Sequence, residues 1–344
     1  MNKRLRTLLQ LLVGVLISAA LLWLTYRKRD FGDLVNDMAQ ADTTMVVLSG
    51  MVLLLVFWLR AMRWRLMIIS AGHPVRSYPT FLAVTVGYLV NAVTPKIGEI
   101  VRCTALYRSD NVPVASSLGT VFTERVIDAL VLFGGIFLIF LMEVDRLGEL
   151  FTNIFDSLFG SWTTNQVLIL VGVVVAIGVV GILALVWLRK RASQESENPG
   201  LISKVNEFVN GMLVAVKSIF KLKQPGMFIL LTIFIWVALI AMNILFLKAL
   251  PSTAHLSWYF AILVLFIGGI GWAMPVPAGM GTTHYIVTLL FVAFSQPAEM
   301  GENVGLLSNG ATFLFTIIWG LIAWGLYMVF LVRDRKNLGE EGKV

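Results

Sequence analysis

The sequence predicts an all-α, polytopic integral membrane bundle of about eight spans plus broken or re-entrant helices, open to a two-half pseudo-repeat. Three observations predict it. Of 344 residues, 58% are hydrophobic and only 14% charged, where an ordinary soluble domain carries about a quarter charged. Eight windows (7–26, 43–59, 77–95, 129–142, 157–188, 224–247, 249–298 and 303–332) contain no Asp, Glu, Lys or Arg. Most are long enough to cross a hydrocarbon core of roughly 30 Å as a helix, which takes about 20 apolar residues. Their Leu, Ile, Val, Phe and Ala runs also lack the period-two alternation of an outer-membrane barrel strand.

The spans fall at 7–26, 44–62, 116–141, 165–188, 226–248, 257–274, 278–295 and 304–331. Segment 7–26 follows Lys3, Arg4 and Arg6 but shows no small-residue cleavage site before Arg27, so it reads as an uncleaved first span. An even number of crossings puts both termini on one side. The basic ends (Lys3, Arg4, Arg6; Arg333, Arg335, Lys336) make that side the cytoplasm. The inferred outer segments, 27–42, 143–156, 248–256 and 299–302, carry five basic and ten acidic residues. Arg27-Lys28-Arg29 is discordant and is offset by Asp30, Asp33, Asp37 and Asp42.

A single membrane domain, 1–344, is expected: a first half (1–188), a cytoplasmic linker (189–225), a second half (226–332) and a tail (333–344). Within the linker, Leu201, Val205, Phe208, Val209, Met212, Val216, Ile219 and Phe220 recur at helical spacing beside Lys204, Lys217, Lys221 and Lys223. That pattern predicts a basic amphipathic helix in the interface, either an elbow or a sensor of lipid headgroups. The net charge of +7 comes without a nucleic-acid recognition signature, so the partners expected are the membrane and its lipids and not nucleic acid. One cysteine, Cys103, excludes an internal disulfide and a Cys-rich metal site. No cofactor, metal ligand or catalytic group is expected.

The polar residues inside apolar sequence carry the functional information. After Asn91, the apolar run from Phe81 is broken at Thr94-Pro95, followed by Lys96, Gly98, Glu99 and Arg102. Proline removes an N–H and disfavours helix in the residue before it, so two short helices with a break are expected. Broken helices mark substrate sites in transporter-like folds; a kink in a cytoplasmic loop is the plainer alternative. Glu99 and Arg102, three apart, can pair on one helix face. Lys96 and Arg102 suit a phosphate, or the set is a solvated ion pair. Glu124, Arg125 and Asp128 fall inside the 116–141 span, where charge in lipid costs about 2.5 kcal/mol or more, so they should face protein or water. Arg60, Arg63 and Trp64 read as an interfacial anchor or as a headgroup-binding rim.

A second break follows Trp272: Pro275, Pro277, Gly279 and Gly281 precede Thr282, Thr283 and His284. The helix restarting at Thr282 presents free N–H groups and a positive dipole end, an anion site without a charged side chain. His284 is a hydrogen-bonding strut, a ligand contact or a proton relay.

These motifs in this order (Arg60-x-x-Arg63-Trp64; Asn91, Pro95, Lys96, Gly98, Glu99, Arg102; Glu124-Arg125-x-x-Asp128; Pro275, Pro277, Gly279, Gly281) resemble the lysylphosphatidylglycerol synthase transmembrane-region family. The chain looks like a stand-alone member without the aminoacyl-transferase domain. The resemblance implies a multi-span bundle with re-entrant helices that moves a modified phospholipid between leaflets of a bacterial cytoplasmic membrane. Many members carry Glu where His284 stands.

The function expected is a lipid flippase or lipid-headgroup transporter acting on an anionic or aminoacylated phospholipid. The headgroup would meet Arg60, Arg63, Asn91, Pro95, Lys96, Glu99, Arg102, Glu124, Arg125, Asp128, Pro277, Gly279, Gly281, Thr282 and His284. Alternatives are a membrane partner of a lipid-modifying enzyme or an integral membrane transferase with a carboxylate base; homo-oligomerisation stays open. Asp128→Leu should lower lipid transfer more than Asp145→Leu, because only Asp128 lies inside a span. Transfer by the two variants side by side checks this, and equal losses would count against a buried site.

Overall fold

The computed structural model describes residues 3–94, 96–144, 221–274 and 276–341. The expected span at 165–188, the amphipathic helix up to Phe220, Asp145 and the two prolines Pro95 and Pro275 lie outside the described residues. Among the described residues there are ten α-helices and no strand: α1 (Lys3–Tyr26), α2 (Phe31–Ala39), α3 (Thr43–Ser70), α4 (Ser77–Val93), α5 (Ile97–Asp110), α6 (Val114–Met142), α7 (Pro225–Ala249), α8 (Trp258–Ala273), α9 (Thr282–Ala293) and α10 (Ala298–Glu341). A 3₁₀ turn, Pro277–Gly279, stands between α8 and α9. By length and composition α3, α6, α7 and α10 can cross a bilayer.

The chain divides into two compact units. One contains everything up to Arg125 and from Lys221 on; the other is Val126–Phe220. In the second unit the described residues are the continuation of α6 to Met142 and two residues beyond. The first unit contains every other element.

Polar contacts sort the loops of the first unit into two ends. At one end the Asp42 amide donates to the Ala249 carbonyl (2.8 Å) and the Tyr26 hydroxyl to the Glu302 carbonyl (3.0 Å). Asn303 donates to the Asp37 carboxylate (2.8 Å), which also pairs with Arg29. At the other end Arg76 pairs with Asp110 (2.8 Å) and Asp334 (2.7 Å), and the Lys223 amide donates to Ser70 Oγ (3.1 Å). The hydrogen bonds it donates to the Asp334 carboxylate hold the Arg76 guanidinium above its ordinary pKa. The first end gathers three of the four segments expected on the outer side and is acidic; the second is basic.

α4 and α5 leave and re-enter the basic end. Arg76, just before α4, donates to the carboxylate of Asp110 and to the Ser109 carbonyl (2.6 Å), both in the last turn of α5. With 17 and 14 residues, the arms span only about 25 and 21 Å at 1.5 Å per residue. Segment 81–95 therefore turns back and does not cross. Its tip is irregular: Thr94 is extended and Lys96 sits in the left-handed region (φ 70°). The Asn91 side chain accepts from the Gly98 amide (2.8 Å), tying the arms together. Here a glycine is required, since a Cβ on Gly98 would stand 2.0 Å from the Gly87 carbonyl oxygen.

The segments expected as spans at 257–274 and 278–295 form a second hairpin, opening to the acidic end. Phe260 near the start of α8 packs on Phe291 near the end of α9 (4.7 Å between rings), while Gly271 meets Thr283 at the tip. The arms have 16 and 12 residues, about 24 and 18 Å, against about 42 Å for the 28-residue α3. Neither contains Asp, Glu, Lys or Arg, which is why composition makes them look like crossings. Removing the pair leaves the parity of crossings unchanged.

The two hairpins enter from opposite ends. α3 runs from the acidic to the basic end, hairpin α4–α5 follows, and α6 leaves the basic end. α7 runs from the basic to the acidic end, hairpin α8–α9 follows, and α10 leaves the acidic end. This is the inverted-topology arrangement common in transporter folds. The second tip packs on the first hairpin and on α10: the 3₁₀ turn touches α4, and Asn309 of α10 donates to the Ala278 carbonyl (2.8 Å).

The core beside the first hairpin joins Trp64, Ile68, Leu82, Val84, Leu106, Ala323 and Tyr327, with the Tyr327 hydroxyl on the Ala105 carbonyl (2.6 Å). Because of the backbone contact at its tip, Gly98→Ala should destabilise the protein by about 1–3 kcal/mol through overpacking. Gly119→Ala, whose Cβ would meet nothing within 4 Å, should leave stability unchanged or raise it. Thermal unfolding in detergent compares the two.

Candidate functional site

Glu124 is the centre of an ion-pair network about 15 Å along α6 from its start at the basic end. Its side chain is wholly buried. Arg102 of α5 approaches one carboxylate oxygen at 3.1 Å and Arg63 of α3 the other at 3.4 Å; both guanidinium groups are buried as well. Arg60 and Arg125 lie at 3.9 and 3.8 Å. Burying a lone carboxylate is costly; guanidinium groups from three helices surround it with opposite charge and crosslink α3, α5 and α6.

Aromatic and hydroxyl groups position the cations. The Arg102 guanidinium lies 4.7 Å from the Trp64 ring, and Arg63 lies 5.7 Å from the Phe228 ring of α7. Such stacking suits the planar, weakly hydrated guanidinium and not an ammonium. Trp64 itself is pinned by its Nε1–H to Thr120 Oγ1 (2.9 Å), and Arg63 donates to Thr232 Oγ1 (3.4 Å).

The network grades from dry to wet. Glu99 pairs with Arg102 at 2.9 Å, as its i,i+3 spacing predicts, and with Arg125 at 3.0 Å. The Glu99 side chain is 21% exposed and that of Arg125 38%. Both line a small cleft with Tyr88, Asn91, Gly98 and Arg102 at the first hairpin tip. A solvent-reachable carboxylate and guanidinium backed by a dry cluster can exchange partners. Arg125 can give up Glu99 for phosphate oxygens, and Glu99 can receive a cationic group.

The second tip is built from backbone. Ala278 and Gly279 take left-handed φ values of 49° and 65°. Gly281 (φ 78°) presses on the Ser18 backbone of α1, whose carbonyl oxygen would stand 2.4 Å from a Cβ there. The Thr282 hydroxyl donates to the Gly271 or Gly279 carbonyl (2.8 and 2.9 Å), and no side chain caps α9. Its first N–H groups thus keep the anion-attracting character expected of a helix start. His284 is 5% exposed and lies edge-on to Tyr26 (5.9 Å between rings).

The structure brings together Arg60, Arg63, Glu99, Arg102, Glu124 and Arg125, with Asn91 at the hairpin tip. It groups Pro277, Gly279, Gly281, Thr282 and His284 at the second tip. Lys96 is exposed at the first tip, with its backbone as helix N-cap. Asp128 stands one turn beyond Glu124 on α6, in the second unit. Arg63 and Trp64 are not interfacial anchors: both are fully buried. They lie about 10 Å inside the basic end of α3, where positive-inside counting cannot tell a rim from a core. Tyr88, Phe228 and Thr232 are site residues that the motifs did not name. Tyr88, one turn before Asn91, was open to detection by helical spacing. Phe228 and Thr232 come from a distant helix and had no local signal.

Among the described residues no group of three or more His, Cys, Asp or Glu side chains could hold a metal ion. The family described as Lysylphosphatidylglycerol synthase TM region matches residues 11–330. A UPF0104 membrane protein of Methanocaldococcus jannaschii is 26% identical over 290 residues, covering 81% of this chain and 83% of that protein. A second UPF0104 membrane protein, from Methanothermobacter thermautotrophicus, is 21% identical over 324 residues, 91% of each chain. No solved structure matches this chain.

Glu124→Gln removes the anion that separates buried guanidinium groups and should cost about 3–5 kcal/mol, the range for breaking one partner out of a buried ion pair. Glu99→Gln, at the wet edge, should cost distinctly less. Denaturation in a single detergent ranks the two.

Proposed function

We propose that this chain, which belongs to the lysylphosphatidylglycerol synthase transmembrane-region family, transfers a phospholipid with an anionic or aminoacylated headgroup between leaflets. The observation that carries this reading is the graded ion-pair network. Buried Glu124, Arg63 and Arg102 hold the bundle, while Glu99 and Arg125 reach the cleft at a re-entrant tip. Guanidinium groups suit a phosphodiester, offering parallel donors to its oxygens. Glu99 suits an ammonium on the same headgroup. The acyl tails stay in lipid, so only the headgroup needs a polar path, and the facing hairpin tips supply one.

In this reading Arg102 and Arg125 meet the phosphate, Arg60 and Arg63 set its field from behind, and Asn91 fixes the tip. Lys96, with Pro95 beside it, stands where a headgroup first arrives. The backbone from Pro277 to Thr282 receives the headgroup at the second tip. Asp128 extends the acidic face of α6. The basic end faces the cytoplasm, following the distribution of charge between the two ends, and the membrane is the bacterial inner membrane.

Reconstitution tests the proposal. Purified full-length protein in vesicles containing labelled anionic and aminoacylated phospholipids should move label between leaflets. Arg125→Gln should slow that transfer by about tenfold or more, since a hydrogen bond to a charged group is worth about 1.5–3 kcal/mol. Label that stays on its original leaflet with folded wild-type protein would overturn the reading.

A further inference from the structure

The second hairpin contains a group that the headgroup network does not use. His284 sits in the first turn of α9, is 5% exposed, and neither Nδ1 nor Nε2 has a hydrogen-bond partner. Two other buried polar atoms at this tip are also without one: Thr283 Oγ1, lodged against Gly271 and Gly279, and Ser18 Oγ, on the α1 residue that Gly281 touches. Buried polar atoms in native proteins are almost always bonded to protein or to water. Three such residues around one helix start therefore mark a polar site where a water or a proton would find partners.

A series of contacts leads from this site to one end of the bundle. The His284 ring meets Tyr26 edge-on at 5.9 Å, and the Tyr26 hydroxyl donates to the Glu302 carbonyl (3.0 Å). Glu302 stands 3.8 Å from Arg29, which pairs with Asp37 and lies 3.4 Å from Glu299. α10 approaches His284 through Gly305, one turn below Glu302. The titratable group in contact with His284 is thus Tyr26 on α1; Glu302 on α10, Arg29, Asp37 and Glu299 stand behind it. α8 adds only Tyr259, near its start, α9 itself adds Tyr285, and the 3₁₀ turn adds none. In order from the acidic end to the tip stand Glu299 and Asp37, Arg29, Glu302, Tyr26 and His284.

We propose that His284 is a proton-binding site, fed from the acidic end past Tyr26 and Glu302, and that its protonation is coupled to headgroup transfer. A proton adds to the free imidazole nitrogen, and the imidazolium places a positive charge at the start of α9. The second tip then attracts an anionic headgroup more strongly, and loss of the proton releases it. The coupling rests on the headgroup-transfer reading; the proton site does not.

Two measurements separate these claims. The chain has three histidines, so a His73→Gln/His255→Gln background in lipid nanodiscs leaves His284 as the only imidazole visible to NMR. Its resonance should titrate reversibly and should shift on Tyr26→Phe. An imidazole that stays in one state wherever the protein remains folded overturns the site. In vesicles with an imposed pH gradient, wild-type transfer of labelled anionic phospholipid should change with the direction of the gradient. His284→Gln should collapse the ratio of the two rates to one, whatever its basal rate. An unchanged ratio in His284→Gln overturns the coupling. Titration in a protein that moves no lipid overturns the coupling together with the transfer reading and leaves the proton site standing.

Discussion

A carboxylate buried among guanidinium groups is the constraint on which the rest of this structure depends. Glu124 cannot stay ionised in a medium of low dielectric constant without opposite charge within a few ångströms. Arg63 and Arg102 cannot lose their protons to escape the same cost. Each sign obliges the other, and the partners come from α3, α5 and α6. Those helices must therefore stay close, with Trp64 and Phe228 covering the guanidinium faces. The network offers little net stability against an apolar core of equal volume. Its retention fits a role as a fixed electrostatic field at the base of a cleft.

Interrupted backbone at membrane depth imposes a second demand. The amides freed at Lys96 and at the Pro277–Gly279 turn must be enclosed by protein or water. The bundle meets this by pressing the tips against other chain segments without intervening side chains. Gly98 lies on the Gly87 carbonyl, Gly281 on Ser18, and Gly271 on Thr283. Asn91 and Asn309 then bond directly to tip backbone, one as acceptor and one as donor. Glycine matters at these points less for flexibility than for allowing backbone to touch backbone. Lys96 and Ala278, both non-glycine residues in the left-handed region, show how much the surroundings dictate the conformation of the tips.

Much of this was legible in the sequence, for identifiable reasons. Charge-free windows report apolar surroundings directly, so the all-α membrane bundle follows from them. Thr94-Pro95 and Pro277-x-Gly279 report breaks because proline and glycine act locally. The Glu99 to Arg102 pair is a property of one helix, and it stands as expected. Other features are not local. A helix that turns back at mid-depth has the same composition as one that crosses, so 257–274 and 278–295 passed for spans; only the short arm between Thr282 and Phe294 hinted otherwise. Arg63 looked like an interfacial residue because its cluster adjoins a loop, whereas its burial is decided by α6 and α7. Lys96 belongs to the same motif as Arg102 yet stays exposed: it is itself the left-handed residue before α5, outside the helix that positions Arg102.

The strengths of the contacts are distributed in a way that suits movement. The network around Glu124 is dry, crosslinks three helices, and is costly to break. α10 is tied at its two ends by contacts of a different kind. At the basic end Asp334 meets Arg76, whose side chain is 48% exposed. At the acidic end Glu302 and Glu299 meet Arg29 at 3.8 and 3.4 Å. Ion pairs reached by solvent, such as Arg76 with Asp334 and Arg29 with the exposed Glu299, are worth about 0–1 kcal/mol and open at little cost, whereas Arg29 and Glu302 form the more enclosed tie. Between those ends α10 carries Asn309 on the second tip and Gly320 against Leu89 of the first hairpin. A bundle that opened on alternate sides would leave the Glu124 network intact and release one end of α10 at a time. Moving α10 would then shift the second tip relative to the first. Under the proposed headgroup transfer, the inverted order of the two hairpins would make two such openings related motions, which is what passing a headgroup across while the tails remain in lipid requires.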